Sequence, residues 1–555
     1  MKCYYHTRHI PREHLRLDDP WGKAVENNRL CDTLDEPVIS EMQKYHIDII
    51  ETRAVWAEIE KEEGVLDFSA VRERVDKIRQ AGIGVGIFPW FQHPPAWKKD
   101  ATRLQCLEHG KESTLISLWD PELLKIYDRL YGALAAEFRD EIDFLYVGVY
   151  GDYGEVFFPH GVTHYKFSPP HGHPGLYCGD VLARADWKNY LKAKYRTLPA
   201  LCTAWAEDIG SFDENLMQFS EKDNIAKRMD LAEWYTGALM HFCEEVCKIV
   251  RKYFPNTRAA LPIGHRREPL EFGQIKSVVA KIAGKYNMAV RWTSVGEYKT
   301  NFALSHICSR RLSSAAKFYG AGYGVEASLY LAKETASAVI FETLSNNASI
   351  MHNDPGNIMR AGDVYRRFRA YDECYGFVCD TAVFYPIEAE LCVRLDMKKL
   401  KEISKGHTTY DESDHDRCEV SDLINLEEFF NAMGEYRKCR DYEICDSRMI
   451  DDGYLKTIQN LVILPQTWIP QKTAEKIKQF AQNGGNVAYQ QGNPPKILET
   501  GEPFQCGTET ADLFASKRND GIFVTECIDR RIVFDAQTDE IRFIMKDAET
   551  PSGNH

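Results

Sequence analysis

Two glutamates stand just past short apolar runs, Glu155 in YVGVYGDYGEVFFP (146–159) and Glu326 in KFYGAGYGVEAS (317–328). Each run is short, aromatic and valine-rich and is closed by glycines that let the backbone turn, the pattern of a buried strand. An acid at the C-terminal end of a parallel-barrel strand reads as catalytic rather than structural. Two convergent carboxylates are the minimal equipment for cleaving a glycosidic bond, one protonating the departing oxygen while the other, ionised, attacks the anomeric carbon. The protonating group needs an apolar or anionic setting to keep its proton near neutral pH, and Tyr150, Tyr153, Phe157 and Phe158 offer Glu155 apolar surroundings. Gly324 and Ala327 leave room for a sugar ring beside Glu326. Asp152 is the alternative acid and Glu297, in SVGEYKT (294–300), the alternative nucleophile.

Around this pair, aromatic residues offer flat apolar faces for pyranose C–H surfaces at little entropic cost. Trp90 and Trp292, at strand ends, are the candidates, whereas Trp56, Phe91 and Trp97 are equally suited to core packing. Gln92 and His93 precede Pro94-Pro95, which holds that loop stiff and extended, so either side chain could bind sugar hydroxyls. His352 ends another apolar run, ASIMHND (348–354), and joins the substrate-binding candidates. A histidine-rich stretch, HGHP (171–174) with His160, His164 and Cys178 nearby, matches no standard zinc spacing. It is expected to form a loop over the site, with no metal bound.

These residues require a scaffold that gathers strand ends. Across positions 1–376, strand-like runs alternate with amphipathic helical patterns: 3–7, 47–56, 83–91, 142–150, 258–264, 288–295, 317–325 and 348–354 read as strands. Helices are expected over 38–45, 68–82, 123–138, 231–254 and 328–344. Eight such strands with trailing helices over more than 300 residues predict an α/β protein with a (β/α)8 TIM barrel. His6, Glu58, Trp90, Gln92, His93, Glu155, His265, Glu297, Glu326 and His352 all fall at or after strand C-termini, which favours the barrel over an open sheet.

Bulk properties narrow the partners. With 83 acidic against 69 basic residues, the 555-residue chain carries a net charge of −14, which argues against nucleic acid. The sixteen cysteines are scattered, and MKCYYHTRHIPREH has no secretory pattern, so reduced thiols and a cytoplasmic location are expected. No apolar stretch reaches the ~20 residues of a membrane helix, so no membrane partner is expected. No phosphate loop or dinucleotide fingerprint appears, and no cofactor is expected.

At this point the chain resembles a known family. Segment 55–99, VWAEIEKEEGVLDFSAVRERVDKIRQAGIGVGIFPWFQHPPAWKK, looks like the second and third barrel units of glycoside hydrolase family 42, a β-galactosidase-like branch of clan A. Segment 186–212, DWKNYLKAKYRTLPALCTAWAEDIGSF, is similar to the helix after that family's fourth strand. The resemblance implies Glu155 as acid/base and Glu326 as nucleophile, and it gives Arg53 the place of the arginine that orients the nucleophile. One departure is Gly154, where clan A usually carries an asparagine that binds the sugar 2-hydroxyl; Asp152 is the expected substitute. GDYGEVFFP also looks like the acid-bearing loop of β-amylases, which invert at an α-linkage, so stereochemistry stays open.

After residue 376 the pattern changes. Strands at 377–386, 441–446, 460–465 and 484–492 with a helix over 471–484 predict a smaller flavodoxin/amidotransferase-like α/β domain over 377–502. No cysteine sits at a tight strand-to-helix turn there, so a scaffold role is expected; the family resemblance implies a homo-oligomer, trimer or dimer. Residues 503–555 read as a short C-terminal β element and tail. The expected activity is a retaining exo-β-glycosidase acting on small-molecule or oligosaccharide β-galactosides. Alternatives are an inverting glycosidase of related barrel type and a catalytically inactive carbohydrate-binding barrel.

Overall fold

The computed structural model describes residues 2–6, 36–159, 173, 175–264, 268–293, 302–326, 336–353, 377–395, 423–510, 521–528, 530–538 and 540–546. Eight parallel strands close into a barrel: β1 (Lys2–His6), β2 (Ile49–Val55), β3 (Gly84–Trp90), β4 (Phe144–Tyr146), β5 (Arg258–Ile263), β6 (Ala289–Thr293), β7 (Gly322–Glu326) and β8 (Ile350–Asn353). Each pairs in register with its sequence neighbour and β8 returns to β1, as the alternating pattern predicts.

Alternation along each strand sends one set of side chains inward and the other against the helices. Toward the N-terminal end the barrel interior is apolar, filled by Ile49, Phe144, Ala260, Ala289 and Ile350. Toward the C-terminal end it turns polar: Glu51 and Arg53 continue the inward set of β2, Arg291 and Thr293 that of β6, Glu326 that of β7 and His352 that of β8. Glycine enables one close crossing. A Cβ on Gly148 would sit 1.7 Å from the Pro89 carbonyl oxygen, so only glycine lets the chain leaving β4 pass β3.

The outer layer comprises α1 (Glu36–Lys44), α2 (Ser69–Gln80), α3 (Pro121–Phe138), α4 (Val181–Tyr195), α5 (Leu198–Trp205), α6 (Ile225–Tyr253), α7 (Lys276–Lys285), α8 (Phe302–Tyr319) and α9 (Ala336–Ser345). Asp120, Asp180, Thr197 and Asn224 cap α3 to α6, each accepting from a backbone N–H of the first turn. Arg74 of α2 donates to Thr52 Oγ1 at 2.6 Å and to the Arg53 carbonyl at 2.8 Å, fixing the outer edge of β2. The run read as a strand over 317–325 divides: 317–319 finish α8, and the strand begins only at Gly322.

A second sheet follows, built from β9 (Thr381–Phe384), β10 (Glu443–Cys445), β11 (Asn460–Ile463), β12 (Asn486–Gln490) and β13 (Thr508–Thr510). All its pairings are parallel and the spatial order is β10-β9-β11-β12-β13, the doubly wound order of flavodoxin-like sheets. Its fifth strand lies beyond residue 502. The helices α10 (Leu426–Cys439) and α11 (Gln471–Gln482) belong to this unit, and a three-stranded antiparallel sheet, β14 (Ile522–Glu526), β15 (Arg530–Asp535) and β16 (Glu540–Met545), ends the described chain.

Barrel helix α8 packs directly on the second unit through polar contacts. Fully buried Arg310 pairs with both oxygens of Asp441 at 3.0 and 3.1 Å and lies 3.9 Å over the Phe377 ring. Arg437 of α10 donates to His306 Nε2 at 2.8 Å, leaving the other ring nitrogen to donate to Glu342 of α9 at 3.0 Å. Ser314 accepts from the Ile444 amide of β10 at 3.1 Å. Burial pushes the Glu342 carboxyl up to about 8.

Candidate active site

The two glutamates meet at the C-terminal mouth of the barrel, joined by two side chains of β6. Arg291 and Thr293 are two residues apart on one strand and so project from one face toward the barrel axis. Arg291 Nη1 donates to Glu326 Oε2 and, at 2.6 Å, to Thr293 Oγ1; the same nitrogen lies 3.8 Å from Glu155 Oε1. Thr293 Oγ1 is 2.6 Å from Glu155 Oε1 and 3.4 Å from Glu326 Oε2. A hydroxyl has one proton, and the shorter contact assigns it to Glu155. Because a single atom touches both carboxylates, their facing oxygens can be no further apart than those two contacts laid end to end.

The surroundings separate the two acids. Glu155 is 7% exposed and Glu326 9%, so both are shielded yet reachable. Glu155 is held on a tight loop after β4: the Val149 and Tyr150 amides donate to the Gly154 and Glu155 carbonyls at 2.8 and 3.3 Å, and Val156 N donates to Pro262 O at 3.2 Å. Gly264 leaves space over the acid, since a Cβ there would come within 3.2 Å of Glu155 Oε2. Gly154 has φ +76°, and a Cβ on it would lie 3.1 Å from Phe88 and 3.2 Å from Trp90. This crowding, with the left-handed backbone, accounts for glycine where clan A usually has asparagine.

Trp90 faces the barrel interior, 1% exposed, with Tyr153 and His93 edge-on or tilted against it. His93 is buried and donates from Nε2 to the Asp152 carbonyl at 3.0 Å, tying the loop after β3 to the loop that carries Glu155. Its burial pushes the imidazole down to about 4, the bond to Asp152 opposing the shift. Gln92 is 1% exposed, and neither end of its amide meets a hydrogen-bond partner among the described residues. Asp152 is buried in the same loop.

Two expectations are corrected. The guanidinium that grips Glu326 belongs to Arg291, whereas Arg53 lies 4.8 Å over the Trp90 ring. Trp292 sits between the inward residues Arg291 and Thr293, and so points away from the axis; it is 1% exposed in the core between sheet and helices, unable to stack on a sugar. Trp56 and Trp97 are likewise structural, donating to the side chain and backbone of Glu60 at 2.6 and 2.7 Å. Glu297 lies outside the described residues, as does His265. His352 does face the site: its Nδ1 is 3.9 Å from Glu326 Oε2 and its Nε2 is 3.8 Å from Glu51 Oε2.

The histidine-rich stretch contributes one residue to a group of possible metal ligands. His173 of the histidine-rich stretch reaches Cys106 Sγ at 3.2 Å and His109 Nδ1 at 3.3 Å, and Cys106 Sγ lies 3.4 Å from His109 Nδ1. Glu108 Oε2 is 3.1 Å from the same sulfur. Donors bound to one tetrahedral zinc ion are separated by about 3.3–3.6 Å, given Zn–N and Zn–S bonds of about 2.0 and 2.3 Å. The spacing and donor types of Cys106, His109 and His173 therefore fit zinc. Burial and the neighbouring Glu108 raise the free thiol far above its ordinary range.

A cavity of about 370 Å³ opens at the opposite end of the barrel, lined by Phe144, Arg258, Ala289 and Ile350 at the strands' N-terminal ends. That face carries stability in such barrels rather than chemistry. No helix among the described residues is long and apolar enough to cross a membrane, and no disulfide joins the described cysteines.

Comparison with known proteins agrees with the geometry. Residues 31–263 match the family profile described as beta-galactosidase, glycoside hydrolase family 42. Among solved structures, a catalytic mutant of a family 42 β-galactosidase from G. stearothermophilus superposes with a TM-score of 0.62 at 11% identity, covering 98% of this chain and 80% of that one. A β-galactosidase from Halorubrum lacusprofundi gives 0.60 at 12% identity, over 94% and 77%. The catalytic domain of a β-amylase from Paenibacillus polymyxa gives 0.51 at 16% identity, over 67% of this chain and 97% of that one. At such identities the likeness shows the fold. A curated relative, the thermophilic β-amylase of Thermoanaerobacterium thermosulfurigenes, is 23% identical over 342 residues, 55% of this chain and 58% of that protein. By profile match over residues 31–263 and by fold, this chain resembles glycoside hydrolase family 42.

Proposed function

We propose that the chain is a retaining exo-β-glycosidase acting on small β-linked glycosides, β-galactosides foremost. The observation that carries this reading is the pair of carboxylates bridged by Arg291 and Thr293, with the threonine hydroxyl 2.6 Å from one and 3.4 Å from the other. Retaining enzymes hold their carboxyls about 5–5.5 Å apart, and inverting enzymes about 6.5–9.5 Å to admit a water. Two contacts through one oxygen atom fall short of the inverting range. Glu326, ionised beside Arg291, attacks the anomeric carbon; the bond to the aglycone oxygen breaks as Glu155 delivers its proton there. Glu155, now a base, takes a proton from water, whose oxygen displaces Glu326 and releases the sugar with its anomeric configuration retained. Trp90, Gln92, His93, Asp152 and His352 are assigned to holding the sugar, with Arg53 supporting them through Trp90.

The β-amylase relatives and the GDYGEVFFP loop support a second reading, inversion at an α-linkage; the short carboxylate separation weighs against it. In the first reading the chain works in the cytoplasm as a homo-oligomer, trimer or dimer, with the doubly wound unit as scaffold. Support comes from the family resemblance and from a described chain without an apolar spanning helix.

The test is hydrolysis of a panel of α- and β-linked nitrophenyl glycosides and maltotetraose by wild type and Glu326→Gln. Release from one β-glycoside, with β product formed first and loss in the variant, is expected. Turnover of maltotetraose to an α product would install the inverting reading. A panel left intact while sugar binding persists would make the barrel a binding protein.

A further inference from the structure

Arg291 is linked to Glu155 by hydrogen bonds through a threonine. Arg291 Nη1 carries two hydrogens, and its bonds to Glu326 Oε2 and, at 2.6 Å, to Thr293 Oγ1 use both. A guanidinium only donates, so Thr293 Oγ1 accepts there and its own proton is left for a carboxylate. Glu155 Oε1 lies 2.6 Å away, within the range of an O–H···O bond, whereas Glu326 Oε2 at 3.4 Å lies outside it. The hydroxyl therefore points at Glu155 Oε1, and a donor that is itself held by a cation is polarised toward its acceptor. Thr293 is β-branched and so stiff at χ1, and its place at the end of β6, in register with Glu326 on β7, sets it between the two acids.

The second oxygen of Glu155 has a different setting. Among the described residues no hydrogen bond reaches Oε2, while Oε1 holds the threonine. A Cβ on Gly264 would lie 3.2 Å from Oε2 and 3.5 Å from Oε1, so the gap that this glycine leaves opens on Oε2. Gln274, fully buried, donates from Nε2 to the Gly264 carbonyl at 2.9 Å and holds the gap in place.

We propose that Thr293 is a positioning residue for the catalytic acid: by donating to Oε1 it keeps that oxygen an acceptor and sets the proton of the neutral carboxyl on Oε2, facing the Gly264 gap. A proton on Oε1 would have to turn the threonine hydroxyl away, toward an oxygen beyond bonding range. In the first half-reaction the Oε2–H bond breaks together with the bond from the anomeric carbon to the aglycone. The proton goes to the aglycone oxygen, which keeps the electron pair of the broken glycosidic bond, and the O–H pair stays on Oε2. In the second half Oε2 takes a proton from the water whose oxygen displaces Glu326. One arginine thus serves the two acids differently. The nucleophile, which must stay ionised, bonds the cation itself, and the acid, which must hold a proton, bonds only a hydroxyl. These half-reactions rest on the glycosidase reading above; the place of the proton does not.

The experiment compares wild type, Thr293→Val and Thr293→Ser by two readings. The first is infrared: the Glu155 carboxyl band, identified by its loss in Glu155→Gln, should move in Thr293→Val and return in Thr293→Ser. The second is kcat/KM on methyl and 2,4-dinitrophenyl β-galactosides; methoxide departs only when protonated, and dinitrophenolate departs unaided. Valine should lower the methyl value by about tenfold or more and the dinitrophenyl value by no more than about threefold, and serine should recover most of the methyl loss. A packing role would lower both substrates alike. An unmoved band would overturn the proposal whether or not the chain turns over a glycoside. So would equal losses on the two substrates, or a serine variant that behaves like valine. Valine keeps the branched shape of threonine; should it still fail to fold, Thr293→Ala gives the same two readings. A band that moves and returns while neither galactoside is cleaved would count against the β-galactoside reading alone.

Discussion

Removing the positive charge between the two glutamates is the most direct probe of the site. Arg291→Met keeps an unbranched chain in the barrel while deleting a guanidinium that bonds Glu326 and lies 3.8 Å from Glu155. The Arg291–Glu326 pair, taken as unit charges about 4 Å apart, is worth about 4 kcal/mol at an effective dielectric of about 20, equivalent to about 3 pH units at about 1.36 kcal/mol each. Water entering the vacated space returns part of that energy, so a shift of about 2 units is expected. The assay is kcat/KM on the reactive β-glycoside from pH 4 to 9. The acid limb should move up by about 2 units, with activity down about 100-fold at the foot of the old limb and within about tenfold of wild type above the new one. An acid limb unmoved while activity drops evenly at every pH would refute the electrostatic reasoning and leave Arg291 a packing role.

Other outcomes follow from separate features. His93 is depressed to about 4 by burial, so the folded state binds fewer protons than the unfolded state between about pH 4 and 6.5. Its stabilising contribution is full above 6.5 and is lost as pH falls through that window, at most about 3 kcal/mol; His93→Asn should flatten the urea-midpoint profile there, and an unchanged slope would contradict the burial argument. Asp441→Ala strands fully buried Arg310 and should destabilise the chain by about 3–5 kcal/mol in denaturant unfolding, whereas Asp441→Asn, which keeps an acceptor, should cost less. Zinc added to chelator-treated protein should raise the melting temperature at pH 7.5 and less at pH 6, because the thiol and imidazoles must lose protons to bind. Cys106→Ser should abolish that rise, and a rise retained in the variant would place the metal elsewhere.

The eight-strand order and both glutamates were legible because buried parallel strands are written as compact apolar runs and their acids fall just after glycine-marked ends. What the runs hide is which side each residue faces. MAVRWTSV drew attention to Trp292, yet alternation makes Arg291 and Thr293 the inward pair. The same reading of IDIIETRAVW would have singled out Glu51 with Arg53, two charges spaced by two in an apolar strand. Cys106 and His109 carried a weak local signal, and their partner His173 lies 64 residues beyond His109, a distance that only the folded loops remove. Helix α8 escaped notice for a different reason. Its apolar residues Ile307, Cys308, Leu312, Ala315 and Ala316 are interleaved with buried polar ones, His306, Ser309, Arg310, Arg311, Ser313 and Ser314, of which the second unit engages His306, Arg310 and Ser314, so the apolar stripe is masked in the sequence.

That polar helix makes the two halves of the protein one mechanical piece. From Tyr319 the chain runs three residues to the start of β7, and the last residue of β7 is Glu326. The helix leading into the strand that bears Glu326 is thus bolted at Arg310 and Ser314 to the second sheet. A barrel excised before residue 377 would present a buried arginine and a row of serines to water, with the strand bearing Glu326 hung from a loosened support. Grafting this barrel onto another scaffold therefore means carrying Asp441, Arg437 and the edge of β10 along with it.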